Sequence, residues 1–202
     1  MEPAADRYPV IQTPSEGSFK DRGSRFLAYA FPVRDEEAFR EELDRLRREH
    51  HSARHHCYAY RLSPAGGLYR YSDDGEPSGT AGRPIYEQIL SAGLYETAVV
   101  VVRYFGGILL GTGGLHHAYK QAAADALAKT TVTEKILYDE LVIRFGYDDL
   151  NRVMQIIDKE QLPLMTQDFG TACSITVQVP RSDSARIKER LERSGKIYVG
   201  KA

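Results

Sequence analysis

Residues 97–115 read TAVVVVRYFGGILLGTGGL, and they decide the fold of the first part of the chain. The β-branched run 97–104 shows no polar–apolar alternation, which is typical of a strand buried on both faces. The glycine-rich residues 106–114 follow, and they open an alanine-rich segment that reaches about Lys129. The stretch therefore predicts a buried strand, a glycine loop and a helix in direct succession.

The chain before this stretch shows further strand and helix patterns. Residues 18–22 and 25–30 indicate two strands joined around Gly23. Asp35 is expected to cap a helix, because Phe39, Leu43, Leu46 and His50 follow it at helical spacing. Residues 1–17 are rich in proline and glycine, so we expect them to form a flexible lead-in.

Two more strands and a helix are expected between these elements and the buried strand. Residues 57–62 and 68–72 indicate strands on either side of a turn that contains proline and glycine. The polar, glycine-rich residues 73–82 form a loop. A helix follows, which ends at Gly93 and has three apolar positions: Ile85, Ile89 and Leu90.

A new unit begins near Ile136. Its pattern is a strand, a helix, a hairpin and a second helix, at residues 137–145, 148–160, 162–179 and 184–193, with a possible last strand at 196–199. The order βαββα is that of a small ferredoxin-like domain. The sequence therefore predicts an α+β protein with an N-terminal domain at 18–132 and a ferredoxin-like domain at 136–202.

The composition is that of an ordinary globular protein, with 42% hydrophobic and 27% charged residues. The formal net charge of -1 excludes a polycation that coats nucleic acid. The 2 cysteines, Cys57 and Cys173, form no disulfide framework, which favours a reducing compartment. The N-terminus lacks the apolar core of a secretory signal, and residues 97–102 are too short to cross a membrane. We therefore expect a cytoplasmic protein.

Two glycine loops carry the candidate chemistry. The first is residues 73–84, DDGEPSGTAGRP, and the second lies within residues 103–115. Each leads into a helix, whose unpaired N–H groups and partial positive charge can hold an anion. Further hydroxyl and guanidinium donors accompany the loops: Ser78, Thr80, Arg83, Arg103 and Thr112. The alternative is that both loops are tight turns with helix caps.

Known catalytic and metal signatures are missing. Neither loop has the Gly-Lys-Ser/Thr of a phosphate-binding P-loop or the spacing of a dinucleotide fingerprint. Asp73, Asp74 and Glu76 have the chemistry of general bases or magnesium ligands. The alternative is that Asp74 belongs to a turn before Gly75 and that Glu76 is exposed to solvent. His55 and Cys57 do not have the spacing of a zinc site. We expect no cofactor, no metal and no catalytic residue.

Three strings make the chain resemble the IMPACT/YigZ family. They are HHCYAY at residues 55–60, DGEPSGTAGRP at 74–84 and RYFGGILLGTGGL at 103–115, in the family's order and approximate spacing. The resemblance covers about residues 18–130. It implies an N-terminal α/β domain like the second domain of a small-subunit ribosomal protein. The remaining part is similar to the ferredoxin-like domain of bacterial members, which itself resembles the last domain of elongation factor G.

The resemblance also implies that both loops line one ligand-binding surface. The residues it assigns there are Asp74, Gly75, Glu76, Ser78, Thr80, Gly82, Arg83, Arg103, Gly106, Gly107, Gly111, Thr112, Gly113, Gly114, His117 and Tyr119. Two departures weaken phosphate binding, because each removes a fixed positive charge. Leu109 stands where members commonly have lysine, and His116-His117 stand where Val-Arg is frequent.

The function that we expect is non-enzymatic binding linked to translation or its regulation. The expected partner is RNA or the ribosome, or another phosphate-bearing molecule, held by the two loops, without DNA specificity and without a membrane role. Eukaryotic relatives regulate translation through an additional domain that this sequence does not show, so that role is not transferred. The alternatives are an enzyme acting on a phosphorylated or carboxylated small molecule, and a module that binds a protein partner.

Overall fold

The computed structural model describes residues 6–170, 172–193 and 195–201. The chain divides into two compact units. We call Tyr8–Lys135 the N-terminal unit; residues from Ile136 onward, together with the residues up to Arg7, form the C-terminal unit.

Residues 6–136 form seven strands and three helices, in the order β1 (Arg7–Ile11), β2 (Ser15–Asp21), β3 (Ser24–Pro32), α1 (Glu36–Glu49), β4 (His55–Arg61), β5 (Tyr69–Ser72), α2 (Gly82–Ser91), β6 (Thr97–Tyr104), α3 (Gly111–Ala128) and β7 (Val132–Ile136). Five of the strands form one antiparallel sheet in the order β2-β3-β6-β4-β5. The doubly buried strand of the sequence pattern, β6, lies at its centre, where both faces need covering.

Helices cover both faces of this sheet. One face packs against α1, where Val100 and Val102 of β6 meet Phe39 and Leu46. The other face packs against α2 and α3. Because successive side chains of a strand point to opposite faces, β6 contributes apolar residues to both cores. The N-terminal unit is therefore an α/β/α arrangement, and the predicted α+β class is confirmed.

The strand β1 differs from the flexible lead-in that the sequence predicts. Arg7–Ile11 pairs with β7 in a two-stranded sheet, and Val10 and Ile11 are buried. Pro9 is tolerated because its carbonyl oxygen still accepts a hydrogen bond, from Tyr95 N at 2.9 Å. Pro9 therefore lies within a strand of a small sheet, and residues 1–5 lie outside the described part of the chain.

Helix α3 begins at Gly111, inside the segment that the sequence assigns to the second glycine loop. The first turn of the helix thus consists largely of loop glycines. By contrast, α1 begins as predicted, because the Asp35 carboxylate accepts a hydrogen bond from Ala38 N at 2.8 Å. In the described part of the chain, none of the helices combines the length and the apolar content needed to span a bilayer.

The C-terminal unit has the order β8 (Tyr138–Phe145), α4 (Leu150–Lys159), β9 (Leu164–Phe169), β10 (Cys173–Pro180), α5 (Ser184–Glu192) and β11 (Tyr198–Lys201). Its antiparallel sheet has the order β11-β8-β10-β9. The inward residues of β8 and β10 pack against Val153 and Ile157 of α4 and Ile187 of α5. This is the ferredoxin-like arrangement that the sequence predicts, with the last strand present.

Each unit has its own apolar core, so we expect each to fold alone. Fragments 8–135 and 136–202, the second of which lacks the contact of Asp6 with Ser182, should each show a cooperative thermal transition when followed by far-UV circular dichroism. A fragment without a sigmoidal transition at any temperature would show that its unit depends on the rest of the chain.

Candidate functional site

The two glycine loops meet at one cavity of the N-terminal unit. The cavity has a volume of about 810 Å³. Glu76 and Pro77 reach it from the first glycine loop, defined as residues 73–82. Leu109 and Thr112 reach it from the second glycine loop, defined as residues 106–114. Arg54 lines it from the segment just before β4. The loops are thus neighbours, although they lie far apart in sequence.

A buried ion pair forms one wall of the cavity. Arg103 Nη1 donates to Glu76 Oε1 at 2.6 Å, and the two side chains are only 7% and 4% exposed. The Tyr119 hydroxyl donates to the same carboxylate oxygen at 2.8 Å. The Cys57 sulfur lies 3.3 Å from that hydroxyl oxygen. The ion pair therefore joins the first glycine loop to β6, and Tyr119 joins it to α3.

The sheet register explains how Arg103 reaches this place. Arg103 stands opposite Phe26 of β3 and His55 of β4. It alternates with Val102, so it points to the face that carries α2 and α3. Its guanidinium carbon lies 5.5 Å from the Phe26 ring centroid and 5.6 Å from the Phe105 centroid. The charged group is thus enclosed by aromatic rings and by Glu76.

Burial dominates the acid–base behaviour of the neutral members of the cluster. It raises the pKa of the Cys57 thiol far above its ordinary value, and the nearby carboxylates, first that of Glu76, act in the same direction. Burial also raises the pKa of Tyr119, helped by its contacts with Cys57 and Glu76. Both groups stay protonated at neutral pH, so they act as hydrogen-bonding groups and not as nucleophiles.

The start of α2 is already occupied by a carboxylate of the chain itself. Asp73 Oδ1 accepts from Ala81 N at 3.0 Å and from Gly82 N at 2.8 Å, and Oδ2 accepts from Gly79 N at 2.8 Å. These are the donors that an external anion would need. For the first glycine loop, the alternative of a tight turn with a helix cap is therefore the better description.

Asp74 is engaged as well. Its Oδ2 accepts from His56 N at 2.7 Å, and its carbonyl oxygen lies 2.8 Å from His55 Nδ1. Its other carboxylate oxygen lies 3.5 Å from Arg47 Nη2. These contacts fix the loop against the start of β4. The Asp74 carboxylate is therefore directed toward His56 N and Arg47.

The start of α3 is open. Its N-cap residue, Leu110, makes no side-chain cap hydrogen bond, and its first turn contains no acidic residue. Gly111 and Thr112, in that first turn, line the cavity. The unpaired N–H groups and the partial positive charge of a long helix therefore face this space without an internal anion.

Gly106 holds the second glycine loop in place. A Cβ atom at this position would lie 1.9 Å from the Gly23 carbonyl carbon, so only glycine fits against the β2–β3 turn. Its N–H also donates to Ser24 Oγ at 3.1 Å. The loop residues that follow expose large apolar side chains, with Ile108 53% and Leu109 81% exposed.

Four of the sequence-predicted site residues line the cavity: Glu76, Arg103, Gly111 and Thr112. The remaining positions lie outside its lining: Asp74, Gly75, Ser78, Thr80, Gly82, Arg83, Gly106, Gly107, Gly113, Gly114, His117 and Tyr119. Arg83 pairs with Glu87 on the surface at 3.0 Å, and His117 packs edge-on against Phe19. The Thr80 hydroxyl donates to the Pro77 carbonyl oxygen at 2.7 Å. These contacts give several predicted ligand residues a structural role.

Sequence reasoning did not assign the other nine lining residues to the site: Ser52, Arg54, His55, Pro77, Tyr104, Phe105, Leu109, Leu110 and Leu115. Phe105 lies inside the quoted RYFGG string, so an exposed aromatic residue next to two glycines was a usable signal. Arg54 had no signal, since it gains its place only from the β4–β6 pairing. Among the described residues, no group of three or more His, Cys, Asp or Glu side chains converges as metal ligands would.

Removal of Glu76 tests the buried ion pair. We expect Glu76→Ala to lower the free energy of unfolding by roughly 3 to 5 kcal/mol, because Arg103 remains buried without its partner. Urea denaturation measures the loss. Glu87→Ala breaks the exposed pair with Arg83 and should cost only about 0.5 kcal/mol. Equal losses in the two variants would show that the buried pair contributes no more than a surface pair.

A buried histidine predicts how stability depends on pH. His56 is 5% exposed, and its Nε2 atom has no hydrogen-bond partner among the residues that the structure describes. Burial is the main cause that lowers the pKa of His56 below the ordinary 6.5. The unfolded chain then binds more protons, so stability is full above about pH 6.5 and falls as the pH drops below it.

We expect His56→Phe to flatten the decline in unfolding free energy between about pH 7 and pH 5. Urea denaturation at several pH values measures it, with His51→Phe at an exposed position as the control. A decline in His56→Phe as steep as in the unmodified protein would exclude His56 as its source.

Comparison with known proteins identifies the family of the chain. Residues 22–127 match the Impact N-terminal domain family. The IMPACT family member YigZ of Escherichia coli (strain K12) is 34% identical over 170 residues, 83% of each chain. An IMPACT family member of Haemophilus influenzae is 38% identical over 180 residues, 87% of each chain. A crystal structure described as that of a hypothetical protein is 30% identical, with a TM-score of 0.74 and coverage of 97% of both chains. The chain belongs to the IMPACT family.

Proposed function

We propose that the protein is a non-enzymatic binding protein that holds RNA, or another phosphate-bearing ligand, in the cavity between the two glycine loops. We further propose that this binding serves translation or its regulation, the setting implied by the resemblance to translational regulators. One observation carries the binding proposal: the start of α3, which has no side-chain cap, lines a cavity that also contains Arg54, an arginine without an ion pair among the described residues.

The charges at the cavity support an anionic ligand. Arg54 is exposed and forms no ion pair in the described part of the chain. Arg103 is neutralised by Glu76, so these fixed charges leave a net charge of about +1 at the cavity. A phosphate at the start of α3 would meet unpaired N–H groups, the Thr112 hydroxyl and the guanidinium of Arg54.

The contacts of the acidic residues favour binding over catalysis. The enzyme alternative needs Asp74 and Glu76 as acid and base groups. Asp74 instead accepts hydrogen bonds from His56 N and Arg47, and Glu76 is enclosed by Arg103 and Tyr119. The buried Cys57 has a raised pKa and does not supply a thiolate.

Binding of a fluorescently labelled single-stranded RNA, measured by anisotropy, tests the proposal. We expect Arg54→Ala to weaken binding about tenfold, the loss of one charge-assisted contact. It should also reduce the slope of log affinity against log salt concentration by about 0.7.

Arg83→Ala is the matched control, since Arg83 is a surface arginine that does not line the cavity. An equal loss in both arginine variants would assign the binding to surface charge in general. No RNA binding by the unmodified protein at low salt would overturn the proposal for RNA.

A further inference from the structure

We propose that the cavity accepts one unpaired nucleotide, with its base against Phe105 and its phosphate at the start of α3. This inference rests on the proposed function and specifies its ligand. It follows from the size of the cavity, from its apolar lining and from its small net charge.

The lining of the cavity is more apolar than a site for a bare phosphate needs. Phe105, Leu109, Leu110, Leu115 and Pro77 all contribute to it. Phe105 is 56% exposed and Leu109 is 81% exposed, although large apolar side chains are usually withdrawn from water. A ligand with a flat, weakly polar part would cover these side chains, and a nucleobase has such a surface.

Phe105 is placed as a stacking surface. Arg103 lies over its ring at 5.6 Å from the centroid, and Arg103 is itself fixed by Glu76 at 2.6 Å. Stacking on a ring held in this way loses little side-chain freedom. The buried Arg103 Nε atom has no hydrogen-bond partner among the described residues. Buried donors are rarely left unpaired, so an acceptor supplied by a ligand is a natural partner.

The charges match one phosphate better than a long phosphate backbone. Arg54 and Arg103 bring two positive charges and Glu76 brings one negative charge, so the net charge of these side chains is +1. The single open helix start adds about half a unit of positive charge. A groove that tracks many phosphates would need a row of cations.

The shape of the site excludes a base within a duplex. A paired base has its faces covered by neighbouring bases and its edge covered by its partner, so it does not enter a concave site. The volume of about 810 Å³ lies in the range of cavities that hold one small molecule. A nucleotide at a strand end, in a loop or in a bulge fits these constraints.

Competition against a labelled single-stranded RNA in an anisotropy assay tests the inference. The unlabelled competitors are adenosine monophosphate, inorganic phosphate, a blunt fully paired RNA duplex and the same single strand with abasic positions. We expect the monophosphate to compete and the intact single strand to bind at least tenfold more tightly than the duplex or the abasic strand. Inorganic phosphate should compete at least tenfold more weakly than the monophosphate.

Variants locate the base. Phe105→Leu should weaken binding of the intact strand at least fivefold without changing binding of the abasic strand. Phe105→Tyr keeps an aromatic ring at this position and should bind the intact strand as tightly as the unmodified protein does. Phe169→Leu, at a half-exposed phenylalanine of the C-terminal unit, is the matched control and should have no effect. Thermal melting confirms that each variant is folded.

The outcomes separate this inference from the proposed function. If no RNA and no monophosphate bind, the inference is overturned together with the proposal for RNA. If the duplex or the abasic strand binds as tightly as the intact strand, RNA binding stands and the unpaired nucleotide is excluded. If Phe105→Leu behaves like Phe169→Leu, the base does not lie against Phe105 and the inference is overturned.

Discussion

The ion pair between Arg103 and Glu76 connects three parts of the N-terminal unit. Arg103 belongs to the central strand, Glu76 to the first glycine loop, and Tyr119, which shares the carboxylate, to α3. Two charges removed from water are tolerated only when their geometry is good and their hydrogen bonds are satisfied. The loop and the helix must therefore keep one position relative to the sheet, and the cavity exists because they do.

The two glycine loops are alike in composition and opposite in electrostatics. At α2 the carboxylate of Asp73 takes the donors of the helix start, and the loop closes on itself. At α3 no side chain does so, and the first turn faces the cavity. An acidic residue in one loop and its absence from the other thus decide which helix start is available to a ligand. The two loops look equivalent by composition, and only their contacts distinguish them.

Local patterns predicted the elements that depend on local physics. The buried strand matches residues 97–104, and Asp35 begins α1, because burial on both faces and helix capping leave direct marks in the sequence. The ferredoxin-like order of the C-terminal unit was readable for the same reason. β1 was missed because Pro9 favours irregular structure locally, while Val10 and Ile11 are buried through contacts distant in the sequence.

The site was predicted only where one strand or one loop defines it. Arg103 and Thr112 were found from their motifs, but Arg54 reaches the cavity through strand pairing that no local spacing encodes. The role of Asp73 was also hidden, because it caps a helix that starts nine residues later, at Gly82. Long-range contacts of this kind need the tertiary structure.

Each unit contains one cysteine whose reactivity reports the opening of that unit. The sequence contains 2 cysteines, and Cys57 lies in the N-terminal unit whereas Cys173 lies in the C-terminal unit. Both are buried in the native protein. An alkylating reagent reacts only with an exposed thiolate, so each sulfur becomes modified only when its own unit opens. The rates of modification of two separate peptides would therefore give the opening free energy of each half of the native, unaltered chain.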